Sequence, residues 1–531
     1  MSVLQLFSQL GSQTADLVRK TAWHWELAGP LISALLPTQF DIDPLAACAQ
    51  LKERLALPNT TILDAVYYAN SSTVSTLGTC SPTAEVEVPL CRLQFIVNTS
   101  DTSAITAEAW LPTEWNGRFL ALGNGGLGGC VDYPSLTYGT RQHFASVASN
   151  NGHDGNSGKD FLNPETLSDF TSRSIHVETV VGKQIVEHYY GRPHRNSYYL
   201  GCSTGGRQGT YAALHYPDDF DGILAGAPAT NFHNLQGWTG MLTLHVGAPN
   251  PSESASFIPA DLWDVVGEEV LRQCDELDGV KDRVITEPDA CEFRPEALQC
   301  SAKRTKNCLT VPQVEALRKI YEPLYGKNGE LLYPRFDPGA ELAPYAKSLV
   351  FGGAPFSYLE DWMKYAIFND TSFDYSKFDL DDLAFANKID PGQISTFSGD
   401  MSAFKARGGK FLTYHGRRDD LIPSGNAKSL YNLVSRTLEM PVLDSFYRLF
   451  LIPGMDHCAG GAGPVDFGQL EPAHKSNDPS QNILLALVEW VEHGIAPDTI
   501  TGLSKDGKEQ RVHCRYPQKS IWDGSKYVCK E

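Results

Sequence analysis

Between Asn196 and Tyr216 the chain reads NSYYLGCSTGGRQGTYAALHY. A β-rich run ends in a glycine-framed serine, Ser203, and a helix-forming run carrying Ala212, Ala213 and Leu214 follows at once. Gly201 to Gly205 fits G-x-S-x-G, in which small neighbours let a strand turn sharply into a helix and leave the serine hydroxyl exposed at the bend. The pentapeptide alone serves equally well as a structural turn. Its flanks favour the strand–turn–helix form, which belongs to a sheet whose strands alternate with helices.

Other runs extend that pattern. GRFLALGNGG (Gly117 to Gly126) reads as a strand entering a glycine loop, and FDGILAGAPA (Phe220 to Ala229) reads as a buried strand. KFLTYHG (Lys410 to Gly416) and SFYRLFLIPG (Ser445 to Gly454) are two more, and NILLALVEWVEHGIAPDTI has the apolar spacing of an amphipathic helix at Leu484, Leu487, Val488 and Val491. Alternation of this kind predicts an α/β fold with a mostly parallel central sheet flanked by helices. Between Ala229 and about Ser395 the pattern changes to a cysteine- and aromatic-rich stretch with few core strands. We read residues 229–395 as a lid domain inserted into a catalytic domain made of residues 1–228 and 396–531.

Composition narrows the partners. The formal net charge of -19 repels nucleic acid and anionic bilayers, and no basic patch offsets it. No apolar run reaches the roughly 18–20 residues needed to cross a membrane. Twelve cysteines, an even number without a CxxC pair or a histidine at zinc-finger spacing, point to disulfides rather than zinc. Sequons at Asn59, Asn70, Asn98 and Asn369 agree with a secreted glycoprotein. MSVLQLFSQLGSQ lacks the basic n-region of a clear signal peptide, but the cysteines outweigh that and the expected location is extracellular.

A serine hydroxyl needs a base, and histidine suits the work near neutral pH. Among fourteen histidines, His457 in PGMDHCAGGAGP directly follows the last predicted strand. Asp419 in YHGRRDDLIP is the favoured acid, completing the order Ser, Asp, His; Asp420 competes with it, and Asp456 is better suited to capping a turn. Backbone N–H groups for an oxyanion are expected from Thr204 and from the GNGGLGG loop, with Gly125 ahead of Gly126. That loop lacks the G-K-[ST] of a phosphate cradle, and no organic cofactor is expected.

GCSTGGRQG, HGRRDDLIP and MDHCAGGAGP together resemble the tannase and feruloyl esterase family of α/β hydrolases, over nearly the whole chain. The resemblance implies a disulfide joining the residue before the nucleophile to the residue after the histidine, here Cys202 and Cys458. Local proximity suggests Cys274 with Cys291, Cys300 with Cys308, and Cys514 with Cys529. The four N-terminal cysteines are read as Cys48 with Cys91 and Cys80 with Cys130. In CDELDGVKDRVI a solvated acidic turn and a metal site stand level on the motif alone; the resemblance implies a structural calcium ion held by Asp275, Asp278, Asp282 and the carbonyls of Val280 and Val284.

The implied activity is a serine esterase acting through an acyl-enzyme on phenolic esters derived from plant cell walls. Feruloyl esters come first, galloyl esters second and terephthalate monoesters third. A non-catalytic binding protein on the same fold and a calcium-dependent adhesion module are the alternatives of a different class. Trp238, Phe351, Tyr358 and Trp362 are candidates for an aromatic acyl pocket or for the core of the lid. Oligomeric state is not readable from the sequence.

Overall fold

Nine strands among the described residues build one sheet: β1 (Thr60–Tyr68), β2 (Leu90–Asn98), β3 (Ala104–Pro112), β4 (Arg118–Leu122), β5 (Ala145–Ser149), β6 (Asn196–Cys202), β7 (Gly222–Gly226), β8 (Lys410–Gly416) and β9 (Tyr447–Ile452). These come from a computed structural model that describes residues 43–470 and 474–531; the stretch MSVLQLFSQLGSQ, which lacks the features of a clear signal peptide, lies outside the described residues. The strand order is β1-β2-β3-β5-β4-β6-β7-β8-β9. β1, β2, β3 and β5 pair antiparallel, and every neighbour from β5 through β4 to β9 is parallel. The parallel half is apolar along its strands because helices cover it: all five residues of β7 are buried, as are six of the seven in β6 and in β8.

The helices used below are α1 (Ser174–Tyr190), α2 (Thr204–His215), α3 (Phe232–His245), α4 (Ala260–Cys274) and α5 (Ile483–His493). Leu484, Leu487 and Val488 of α5 join Tyr198, Leu224 and Leu412 of the sheet in one apolar cluster. The amphipathic helix read from the sequence therefore stops at His493, and Thr499–Leu503 instead forms a strand paired with Gln510–Cys514. Gly494, in the left-handed conformation at φ 72°, ends the helix.

β7 and β8 lie side by side although 183 residues separate Gly226 from Lys410, so everything between them is an insertion at the C-terminal edge of the sheet. Trp238, Trp263, Leu317, Tyr333 and Trp362 of the insertion share an apolar cluster with Leu127, Phe161, Leu167 and Phe170 of the preceding segment. Residues 48–531 consequently pack as one compact unit. Of the unit made of residues 1–47, only 43–47 are described, where the helix Pro44–Arg54 begins. No helix among the described residues is long and apolar enough to cross a membrane.

Candidate active site

Ser203 sits between β6 and α2 with φ 63° and ψ -120°, a backbone conformation that costs free energy for any residue with a Cβ. Its surroundings hold it there. Its N–H donates to the Gly226 carbonyl (2.9 Å), and its own carbonyl accepts from Arg207 (3.0 Å) and Ala229 (3.1 Å). The flanking glycines are steric necessities: a Cβ at Gly201 would stand 2.8 Å from the Gly205 backbone, and one at Gly206 would stand 2.3 Å from the Gly226 carbonyl oxygen.

Asp419 lies just beyond β8, and His457 follows the turn after β9. His457 Nδ1 donates to the Asp419 carboxylate, 3.0 and 2.9 Å from its two oxygens. The same carboxylate accepts from the N–H groups of Leu421 (2.9 Å) and Ile422 (2.8 Å), and His415 Nε2 lies 3.4 Å from it. Burial alone would raise the Asp419 pKa, but the His457 charge and the histidine hydrogen bonds outweigh it and hold the carboxyl well below its usual range. His457 answers in kind: burial disfavours its charged form, yet Asp419 raises its pKa above the ordinary value. A neutral imidazole oriented at Nδ1 leaves Nε2 to take a proton.

The two competing acids have other work. Asp420 turns away and accepts from the Ala346 N–H (2.8 Å) in the insertion, while Asp456 lies 2.8 Å from Arg418 Nε. Burial raises both pKa values, Asp420 to about 6 with help from the Asp419 charge and Asp456 to about 7 against the pull of Arg418. A folded pKa above the unfolded one gives stability that is present below the unfolded value of 3.8 and is lost as pH climbs through 6 and 7. The melting temperature is therefore expected to fall between pH 5 and pH 8, and Asp456→Asn to flatten the fall; a melting temperature that rises over that interval contradicts the assignment.

Ser203, Cys202, His457 and Cys458 all line one cavity of about 310 Å³, with Gly125, Gly126, Tyr345, Leu349 and Tyr358 among the other walls. Thr204 opens α2, so its N–H has no acceptor within the helix and the helix's positive end faces the site. Thr204 Oγ donates to the Gly126 carbonyl (2.5 Å), tying the glycine loop to the serine turn. A Cβ built on Gly125 would meet nothing within 4 Å, so this backbone borders open space, whereas one on Gly126 would collide with Asn156 and Tyr358. A second, narrow chamber shares Ser203, Gly126, Tyr358 and Leu421 with the first and is walled besides by Ala229, Phe232, Leu235, Phe356 and Ile422. Of the four aromatics singled out from the sequence, Tyr358 borders both spaces, while Trp238, Phe351 and Trp362 are core residues at 2% exposure or less.

Cys202 and Cys458 are bonded, with Cα atoms 5.9 Å apart and a sequence separation of 256. The bond joins the immediate neighbours of Ser203 and His457, and Cys458 itself has φ 66°. It thus fastens two strained backbone turns to each other. Loop-closure entropy for so long a loop is about 5 kcal/mol at most, and displacement of a catalytic pair by about 1 Å costs roughly 10²-fold in rate. Cys202→Ala with Cys458→Ala is expected to lower both the melting temperature and, by about 10²-fold, kcat; an unchanged kcat in the folded double variant contradicts a positioning role. The remaining cysteines pair as Cys48–Cys91, Cys80–Cys130, Cys274–Cys291, Cys300–Cys308 and Cys514–Cys529. Asn59, Asn70, Asn98 and Asn369 are all exposed.

The acidic loop follows α4. Asp278 and Asp282 each accept the N–H two residues on, from Val280 and Val284, both at 3.0 Å. The Tyr527 hydroxyl donates to Asp282 (2.8 Å) and the Thr286 hydroxyl to Asp278. Asp275 is buried, and its Oδ1 has no hydrogen-bond partner. Burial first, then the like charges of Asp282 and Asp278, raise its pKa. An unpartnered carboxylate oxygen repelled by two neighbouring carboxylates is relieved by a cation, and an all-oxygen donor set suits calcium. Among the described residues no three acidic, histidine or cysteine side chains converge closely enough to hold an ion by themselves, so backbone carbonyls have to complete such a site.

Sequence reading missed the residues that support the GNGGLGG loop. Gln208 on α2 accepts from the Asn124 N–H (3.0 Å) and donates to Asn124 Oδ1 (3.0 Å), and Asn124 Nδ2 reaches the Cys130 and Ser149 carbonyls. The one sign in the sequence is a glutamine five positions after the serine.

The profile of the family described as "Tannase and feruloyl esterase" matches residues 91–530. "Probable feruloyl esterase B" of Aspergillus clavatus is 43% identical over 492 residues, 90% of this chain and 93% of the relative. The crystal structure of feruloyl esterase B from Aspergillus oryzae is 41% identical, with a TM-score of 0.89 over 92% of this chain and all of that one. Tannin acyl hydrolase from Aspergillus niger is similar in fold, with a TM-score of 0.71 at 22% identity over 90% of this chain and 93% of that one.

Proposed function

The chain belongs to the tannase and feruloyl esterase family of carboxylic ester hydrolases, and from that premise we propose that it releases ferulic acid and related hydroxycinnamic acids from plant cell-wall esters through an acyl-enzyme on Ser203. The observation that carries the chemistry is the shared cavity: the serine on its strained turn and the histidine bound to Asp419 border the same space. The relatives named for feruloyl esterase B, at 43% and 41% identity, support the choice of acid.

In this reading His457 Nε2 takes the Ser203 proton as Oγ bonds to the ester carbonyl carbon. The oxyanion is held by the N–H groups of Thr204 and Gly125, and Asp419 stabilises the imidazolium. The C–O bond to the alcohol breaks as His457 returns the proton to the leaving oxygen. Water, deprotonated by the same imidazole, then attacks the acyl carbon, and the acyl-serine bond breaks as His457 returns that proton to Ser203 Oγ and the acid leaves. His457 serves only when neutral, and its raised pKa sets the acid limb of kcat/KM above pH 6.5.

Six disulfides and four exposed sequons support an extracellular, glycosylated enzyme. Asp275, Asp278, Asp282 and the Val280 and Val284 carbonyls would hold one calcium ion, which would neutralise the carboxylates and brace the loop. Chelation is expected to lower the melting temperature and leave turnover of the folded enzyme intact; a purified chain with no bound calcium and a chelator-insensitive melting temperature contradicts the site.

The deciding experiment for the substrate is a side-by-side measurement of kcat/KM on methyl ferulate, methyl caffeate, methyl gallate and a terephthalate monoester. Ferulate or caffeate is expected to lead. Hydrolysis confined to gallate overturns the choice of acid and leaves the serine mechanism standing.

A further inference from the structure

One side chain in the wall of the narrow chamber beside Ser203 carries a polar atom that the protein leaves unanswered, and the chamber, about 30 Å³ as it stands, has to widen toward that atom to admit an acyl group. α3 presents Phe232, Leu235, Gln236 and Thr239 to it, a spacing of i, i+3, i+4 and i+7 that marks a single helix face. Every other polar side chain in its wall, Ser203 apart, has a partner within the protein. Thr239 Oγ donates to the Leu235 carbonyl (3.0 Å), Thr204 Oγ donates to the Gly126 carbonyl, and the Tyr358 hydroxyl accepts from Asn156 (2.8 Å). Gln236 is 5% exposed, and its side-chain oxygen is buried with no hydrogen-bond partner. Buried polar atoms in folded proteins are almost always paired, so an orphan in the wall of a ligand chamber marks the place where a ligand supplies the missing donor.

The donor has to arrive on an otherwise apolar, planar group, because Phe232, Leu235, Phe356 and Ile422 make up the surrounding wall. A hydroxycinnamoyl group meets both needs, with an aromatic body and a phenolic O–H at the end remote from its carbonyl. We propose that Gln236 determines acyl specificity by accepting a hydrogen bond from the phenolic hydroxyl of the acyl group while Ser203 attacks the carbonyl. The proposal rests on the feruloyl esterase reading above and adds the residue that distinguishes a hydroxylated ring from a bare one. A site with a buried acceptor discriminates against an analogue lacking the donor, because that analogue leaves the acceptor unpaired.

The test compares methyl 4-hydroxycinnamate with methyl cinnamate, which differ only in the hydroxyl. The wild-type enzyme is expected to prefer the hydroxylated ester by about tenfold or more in kcat/KM. Gln236→Leu is expected to erase that preference by slowing the hydroxylated ester alone, with a melting temperature no lower than wild type, since an unpaired polar atom has been removed from an apolar wall. A preference that survives Gln236→Leu, or a wild-type enzyme that cleaves both esters at equal rates, overturns the role of Gln236 alone. A wild-type enzyme that cleaves gallate and no hydroxycinnamate overturns the underlying reading and this proposal with it. Affinities of the two esters for the Ser203→Ala protein give the same answer without altering α3: tighter binding of the hydroxylated ester supports the assignment, and equal binding contradicts it.

Discussion

Ser203→Ala is expected to reduce kcat on methyl ferulate by about 10⁶-fold while leaving the fold and the disulfides intact. The size of the effect follows from what the serine does. It supplies the only bond to the acyl group between the two halves of the reaction, and neither His457 nor the N–H groups of Thr204 and Gly125 replaces it. Alanine also keeps a Cβ at φ 63°, so the strain of the turn is unchanged and the loss is chemical. The melting temperature and the circular dichroism of the variant check the fold, and the rate on a soluble feruloyl ester checks the chemistry. Retention of more than a few per cent of wild-type kcat in a folded Ser203→Ala protein excludes the acyl-enzyme route through this residue.

Asp419→Asn is expected to cost about 10⁴ in kcat with a small change in KM. The asparagine fits the same space, but its amide presents either a donor or a neutral acceptor to His457 Nδ1, and the imidazolium loses its counter-charge. Two further contacts sharpen the prediction. The carboxylate also accepts from Leu421 and Ile422, so Asp419→Asn turned to satisfy those N–H groups sets its NH2 against the imidazole and favours the wrong tautomer. Asp420→Asn is the internal control. It retains an acceptor for the Ala346 N–H and leaves the Asp419–His457 pair in place, removing only a charge that helps to raise the His457 pKa, so most of the activity is expected to survive with the acid limb of kcat/KM moved to lower pH. If the two substitutions exchange their effects, the acid of the triad has been misassigned.

The parts of this site that were legible in the sequence are those written locally. Strand, glycine-framed serine and helix are contiguous, and the structure gives β6 and α2 on either side of Ser203. KFLTYHG coincides with β8 residue for residue. One peptide unit separates Asp419, the acid favoured from the sequence, from its competitor Asp420; what distinguishes them in the structure is that Asp419 folds back onto the N–H groups of its own turn while Asp420 reaches into the insertion. The antiparallel strands β1, β2 and β3 escaped notice because no glycine-rich chemistry follows them. The insertion's packing was hidden for a different reason. Its core includes Phe161 and Phe170, which precede it in the chain, and a partnership over such a distance leaves no periodicity to read. Gln236 belongs to the same class: on α3 it looks like one polar residue among many, and only the chamber wall reveals that nothing in the protein pairs with its oxygen.

The central claim is that Ser203, activated by His457, is the nucleophile that carries the acyl group. Its most direct test is stoichiometric inactivation by a fluorophosphonate, which traps an activated serine, followed by peptide mapping. One adduct per chain on the peptide containing Ser203, formed in step with the loss of feruloyl esterase activity and slowed by methyl ferulate, is the predicted result. Complete inactivation with the adduct on another residue, or full activity after Ser203 is modified, would contradict it.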